Sequence, residues 1–123
     1  MKALKIVTWI LGLFFLLSFF QWLVNPGMAA EGLGMPLLTD VGRSTQIADL
    51  SVFFLAIGTM TLVGTRPGQS HWLYGAAGML GGAGVMRVLA YLVHDAAFAL
   101  PFILVEFVCA AVLVTAARLL ADA

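Results

Sequence analysis

The chain has 123 residues, of which 63% are hydrophobic and 10% charged, against roughly 45–50% and about 25% in soluble domains. Its mean hydropathy is +1.07. So few charges cannot cover the surface of a soluble fold of this size, which argues against a water-soluble enzyme and a disordered tail. Six Lys+Arg balance six Asp+Glu, so no basic footprint for nucleic acid exists. The single Cys excludes an internal disulfide. The expected class is a small all-α integral membrane protein, with residues 1–123 forming one domain.

A bilayer core is roughly 30 Å thick, and a helix crosses it with about 20 apolar residues. Four such runs are predicted. The first is Ile6–Val24, stopped by Asn25-Pro26-Gly27; the second is Thr45–Gly64, stopped by Thr65-Arg66-Pro67-Gly68. The third is Ser70–Val93 and the fourth Pro101–Leu120, with Pro101 in the first turn, where its missing N–H costs nothing. Short connections make neighbours antiparallel, so the expected fold is an antiparallel four-helix bundle. Lys2 and Lys5 before the first run also fit a signal peptide, as does the small stretch Met28-Ala29-Ala30. That apolar run exceeds the about 7–15 residues of a signal core, so a retained helix is expected.

Lys/Arg bias in short loops orients membrane proteins. With the N-terminus inside, Lys2, Lys5, Arg66 and Arg118 are cytoplasmic and only Arg43 lies outside. The expected topology is therefore N-in and C-in, in a bacterial inner membrane. Trp9, Trp72 and Tyr74 near inner ends, and Trp22, Tyr91 and Phe98 near outer ends, fit interfacial aromatic belts. The outer loop, residues 25–44, holds Met28, Leu33, Met35, Leu37 and Leu38. It is too apolar for a free linker and reads as a surface segment or a lid over the bundle.

Helices associate in lipid through small residues that allow close backbone approach. Gly75, Gly78, Gly82 and Gly84 on the third span, with Gly78-xxx-Gly82 as a GxxxG unit, are the expected packing positions. Packing within the chain is the first reading; an interface between copies is the second.

Ionisable groups inside a span cost about 2.5–3.5 kcal/mol on insertion scales and usually face a bundle interior or wet cavity. Asp49, Arg87 and Glu106 are such groups. At about 1.5 Å of rise per residue, Arg87 sits roughly 9 Å inside the outer end of its span, Glu106 roughly 8 Å and Asp49 about 6 Å. Gln21 joins them near the outer end of the first span. An Arg87–Glu106 ion pair across the third and fourth spans is expected, because a guanidinium fork matches a carboxylate. Pairing lets both charges be buried. With two acids and one permanent cation, one carboxyl lacks a fixed counter-charge and is suited to holding a proton or a cationic group. The plainer readings are that Arg87 and Glu106 are only an interhelical fastener and that Asp49 is a helix-start acid favoured by the dipole.

Gly84, Arg87, Tyr91 and His94 share one helical stripe. Tyr91 and His94 therefore extend the candidate ligand or proton site outward, with His94 and Asp95 as a relay or simply an interfacial helix end. His71 lies at the opposite side, so no metal-ligand cluster is expected. No nucleotide, nucleophile or cofactor fingerprint is present, and Cys109 reads as a small packing residue.

Three features together resemble a family of small bacterial four-helix membrane proteins, the domain of unknown function number 4345. They are the first span ending at Asn25-Pro26, the third ending in Gly84-Val85-Met86-Arg87, and the fourth with Glu106. The resemblance covers most of the chain through short motifs and implies four helices and the Arg87/Glu106 pair. It implies no activity, substrate or cofactor. The chain departs from it in carrying Tyr91 and His94-Asp95 where a small polar turn is expected.

Three functional classes fit these residues. The first is a non-enzymatic protein that binds a lipid or amphipathic small molecule, or serves as a small subunit of a membrane complex or homo-oligomer. The second is a proton-coupled transporter using Glu106 or Asp49. The third, an enzyme using His94 and Asp95, lacks a nucleophile or metal.

Overall fold

The computed structural model describes residues 1–122 and contains five α-helices, with no strand among the described residues. They are α1 (Lys2–Val24), α2 (Pro26–Gly32), α3 (Asp40–Gly64), α4 (Trp72–His94) and α5 (Leu100–Leu119). All but α2 are long and apolar enough to cross a membrane. α1 packs on α3, α3 on α4, α4 on α5, and α5 returns to α1. These contacts close a four-helix ring. Large side chains still point away from it: Leu17 is 67% and Leu92 68% exposed. A ring with so much apolar exterior matches hydrocarbon surroundings rather than water.

The helix boundaries follow local chemistry. Pro disfavours helical backbone at the residue before it, and Asn25 leaves the helix at φ −143° and ψ 73°. The Asn25 side chain then accepts a hydrogen bond from the Met28 N–H at 3.3 Å, with Pro26 opening α2. Asn is a strong N-cap, so the same tripeptide that stops α1 starts α2. α4 ends where Asp95 adopts the left-handed conformation at φ 57°. The N–H groups of Asp95 and Ala96 both reach the Ala90 carbonyl. Asp tolerates this conformation better than most residues, which gives Asp95 a backbone role.

The segment between the first two long helices differs from the expected loop. Residues 25–44 contain α2 and the first turn of α3, and α3 starts at Asp40 rather than Thr45. The polar run Asp40–Thr45 lacks the apolar signature of a span, so hydropathy alone truncated this helix. α1 likewise begins at Lys2, because a basic first turn is compatible with helix. Trp22 is also corrected. It is only 1% exposed and packs with Ala29 and Ala30 in a second small core instead of joining a belt. The cause is α2, which folds back over the end of α1.

The segment after α2 is fastened by Gln46, which is buried on α3. Its Oε1 accepts from the Leu38 N–H at 2.7 Å, and its Nε2 donates to the Pro36 carbonyl at 3.1 Å. The Arg43 Nε–H donates to the Leu38 carbonyl at 2.8 Å. Backbone groups outside helices need such partners, and here the Gln46 and Arg43 side chains supply them to a stretch that has no ladder.

The glycines divide into two sets. A Cβ at Gly12 would lie 2.6 Å from Leu62 Cδ2, and one at Gly58 would lie 2.8 Å from Leu16 Cγ and 3.0 Å from its backbone N. Gly75 faces the Met60 sulfur at 2.8 Å, and Gly84 the Phe107 ring at 3.0 Å. Gly78 and Gly82 meet nothing within 4 Å. The GxxxG unit therefore does not pack inside the chain, contrary to the first expectation. The contact stripe of α4 is instead Leu73, Ala76, Ala77, Leu80 and Gly84, all buried.

Overpacking a tight contact costs about 1–3 kcal/mol, whereas Gly to Ala at an open helical position gains up to about 1 kcal/mol. Gly58→Ala is therefore expected to lower thermal stability in detergent, and Gly78→Ala and Gly82→Ala to hold or raise it. Equal losses at all three positions would contradict this division.

Candidate functional site

Arg87 is on α4, one turn beyond Gly84, and Glu106 is on α5, in the turn before Ala110. The backbones come close here because Gly84 receives the Phe107 ring, and a Cβ at Gly81 would already lie 3.7 Å from that of Ala110. That approach brings the Arg87 Nε–H to Glu106 Oε1 at 2.7 Å. The Arg87 side chain is 33% and the Glu106 side chain 13% exposed. The distance is that of a charge-assisted hydrogen bond.

The contact geometry differs from a two-point fork. It uses Nε alone, and the guanidinium carbon lies 4.7 Å from the centroid of the Phe102 ring. A cation over an aromatic face is attracted by the ring quadrupole. Phe102, one turn before Glu106, thus holds the guanidinium plane while Glu106 takes its inner edge. The two Nη groups make no hydrogen bond among the described residues. Those donors remain available to a second anion.

Two hollows meet at this pair. One is a groove of ≈ 440 Å³ between α3 and α4, bordered by Asp49, Phe53, Ala83, Arg87, Ala90 and Glu106. The other is an inner cavity of ≈ 230 Å³ among the helices, lined by Phe14, Leu33, Phe54, Leu80, Phe102 and the same Arg87 and Glu106. Gly32 and Leu33, at the end of α2, form part of the inner cavity wall. The ion pair and Phe53 are shared by both hollows and partition them. The rest of each lining is almost wholly apolar.

Asp49 faces the groove but is exposed and pairs with no cation among the described residues. It lies nine residues after Asp40, the first residue of α3. Gln21 lines neither of the hollows that Arg87 lines. It is exposed on α1 and borders a neighbouring cleft with Ser18 and Trp22. Tyr91 and His94 do not line the groove either. Both are exposed, and the Tyr91 ring meets that of Phe98 at 5.1 Å between centroids, tilted by 52°. Helical spacing puts them on Arg87's stripe, but residues 91–94 at the end of α4 are all exposed. Among the described residues, no group of three or more His, Cys, Asp or Glu could hold a metal ion.

Sequence reasoning missed Phe102 and the cavity wall from α2. An aromatic four residues before an intramembrane acid is a usable signal, since both lie on one helical face. No local signal places Leu33 and Phe54 on the wall of one cavity.

Comparison of the chain with protein families, curated proteins and solved structures finds no match. The residues themselves carry the functional reading.

A double-mutant cycle tests the pair. Arg87→Ala leaves an uncompensated carboxylate and Glu106→Gln an uncompensated guanidinium, each costlier than losing both. The double variant is expected to be more stable than the sum of single losses by about 0.5–3 kcal/mol, read by thermal unfolding in detergent. Strict additivity would show that the contact carries no coupling.

Proposed function

We propose that this chain is a multi-pass protein of the bacterial inner membrane that binds a lipid or other amphipathic molecule in the outer half of the bilayer. Arg87 meets the polar head, and the apolar hollows on either side of it accept hydrocarbon. The helices run antiparallel, with both termini cytoplasmic. The order of contacts supports the direction: Gly12 faces Thr61 and Leu62 while Gly58 faces Leu16, and Gly84 faces Phe107 while Arg87 meets Glu106. The positions of Lys2, Lys5, Arg66 and Arg118 support the orientation.

One observation carries the binding reading. Arg87 is neutralised by Glu106 through Nε while its Nη groups stay unspent on the wall of two apolar hollows. A purely structural fastener gains most from two parallel hydrogen bonds. A cation left half-engaged beside apolar space is arranged to meet a head group that arrives with a tail.

Native mass spectrometry from mild detergent tests this. Wild type is expected to carry a co-purifying amphiphile. Arg87→Gln is expected to retain about tenfold less, the worth of one charge-assisted hydrogen bond. A bare wild-type chain, or equal retention by the variant, would contradict the reading.

Proton-coupled transport is a second reading, favoured by Asp49 standing beside the groove without a counter-charge. It requires pH-driven flux in proteoliposomes that falls in Glu106→Gln or Asp49→Asn. Absence of flux in wild type across several gradients removes it.

A further inference from the structure

The ionisable groups around the groove specify more than an anionic head. Arg87 contributes unspent Nη donors on α4, and Asp49 contributes an unpaired carboxylate on α3. Glu106 is already committed to Nε. The groove thus presents one free set of cationic donors and one free anionic acceptor across its width. Its floor is apolar, with Leu50 and Phe53 on one side and Ala83 and Ala90 on the other.

Three head-group classes are distinguished by this arrangement. A simple anion satisfies the Nη groups but is placed beside the Asp49 carboxylate, and like charges at close range repel. A simple cation satisfies Asp49 but leaves the Nη donors unmet in a poorly hydrated place, which is costly. A zwitterion satisfies both, with its phosphate on Arg87 in the geometry that guanidinium favours and its cationic end on Asp49. The cationic end is also specified. Quaternary ammonium groups are recognised by several aromatic faces together, and Phe53 is the aromatic residue of this groove. A primary ammonium instead donates hydrogen bonds to a carboxylate, which is what Asp49 offers.

The small side chains have a part in this. Ala83 and Ala90 lie four residues before and three after Arg87, on its own helical face. They leave width beside the guanidinium for a phosphate and glycerol, and the groove continues over apolar side chains suited to acyl chains. We infer that the groove between α3 and α4 is a binding site for a zwitterionic phospholipid of the phosphoethanolamine type, its phosphate on Arg87 and its primary amine on Asp49. This inference rests on the amphiphile-binding reading above and names its ligand class.

The test uses the full-length protein in mild detergent, offered phosphatidylethanolamine, phosphatidylcholine and phosphatidylglycerol at equal concentration. Retention is read by native mass spectrometry. Wild type is expected to favour phosphatidylethanolamine by about tenfold, the worth of one charge-assisted hydrogen bond. Asp49→Asn is expected to erase that preference while still retaining lipid. Asp49 is exposed and unpaired, so this change leaves the packing intact, and thermal unfolding verifies it. Arg87→Lys keeps the charge beside Glu106 but removes the Nη pair, and should weaken retention of all three lipids. Soluble glycerophosphoethanolamine in excess should not displace the lipid. If it does, the ligand is a free head-group compound and the phospholipid assignment falls. Equal retention of the three lipids by wild type, or a preference unchanged in Asp49→Asn, overturns the inference but leaves amphiphile binding standing. Retention of none of them overturns both.

Discussion

A guanidinium and a carboxylate held 2.7 Å apart between α4 and α5 set the terms for the rest of this structure. Neither charge is tolerable alone among apolar helices. Each needs the other at a fixed position, and that requirement sets how α4 and α5 sit. Gly84 and Gly81 permit the approach, and Ala76, Ala77, Ala116 and Ala117 continue it along the helices as a buried seam of small side chains. Phe102 completes the arrangement by holding the guanidinium plane. The pair is thus both a packing constraint and the source of the site's polarity.

The remaining helices give the pair its surroundings. α3 meets α1 through Gly12 and Gly58, which seats the aromatic side chains Phe15 and Phe54 against one another at 6.2 Å. Phe54 and Phe14 reach the inner cavity, and Phe53 and Asp49 border the outer groove. α2 covers the end of α1 through Trp22 and places Leu33 on the cavity wall. Gln46 keeps the following segment against α3. Each of these placements is a local consequence of capping, small-residue contact or a satisfied backbone group. Together they put one partly engaged cation between two hydrocarbon-lined spaces.

Much of this was legible in the sequence, for identifiable reasons. Four apolar runs gave four long helices because hydropathy over about 20 residues is a strong signal. Arg87 and Glu106 were legible as partners because both lie at similar distances from the turn between their helices. The errors also have physical causes. Counting glycines pointed to Gly78 and Gly82, yet a glycine stripe shows only where backbones can approach. The contacts went to the face carrying Leu73, Ala76, Leu80 and Gly84, whose apolar heptad-like spacing was the better signal. Helical spacing alone groups Tyr91 and His94 with Arg87, and it does not reveal that the last turn of α4 is exposed. Residues 25–44 look like loop because α2 is too short for periodicity to register, and the stretch after it is held by the Gln46 side chain rather than by a backbone pattern. That Leu33 and Phe54 line one cavity is a tertiary placement with no local trace.

The central claim is that Arg87 is held by Glu106 through Nε so that its Nη groups can take a second, incoming anion. An experimental structure of the protein in a lipid nanodisc containing phosphatidylethanolamine measures this most directly. The account predicts head-group density within hydrogen-bonding distance of the Arg87 Nη atoms, with the Nε–Glu106 contact retained. A guanidinium that closes both Nη groups onto Glu106 or Asp49, with the lipid head elsewhere, would contradict it.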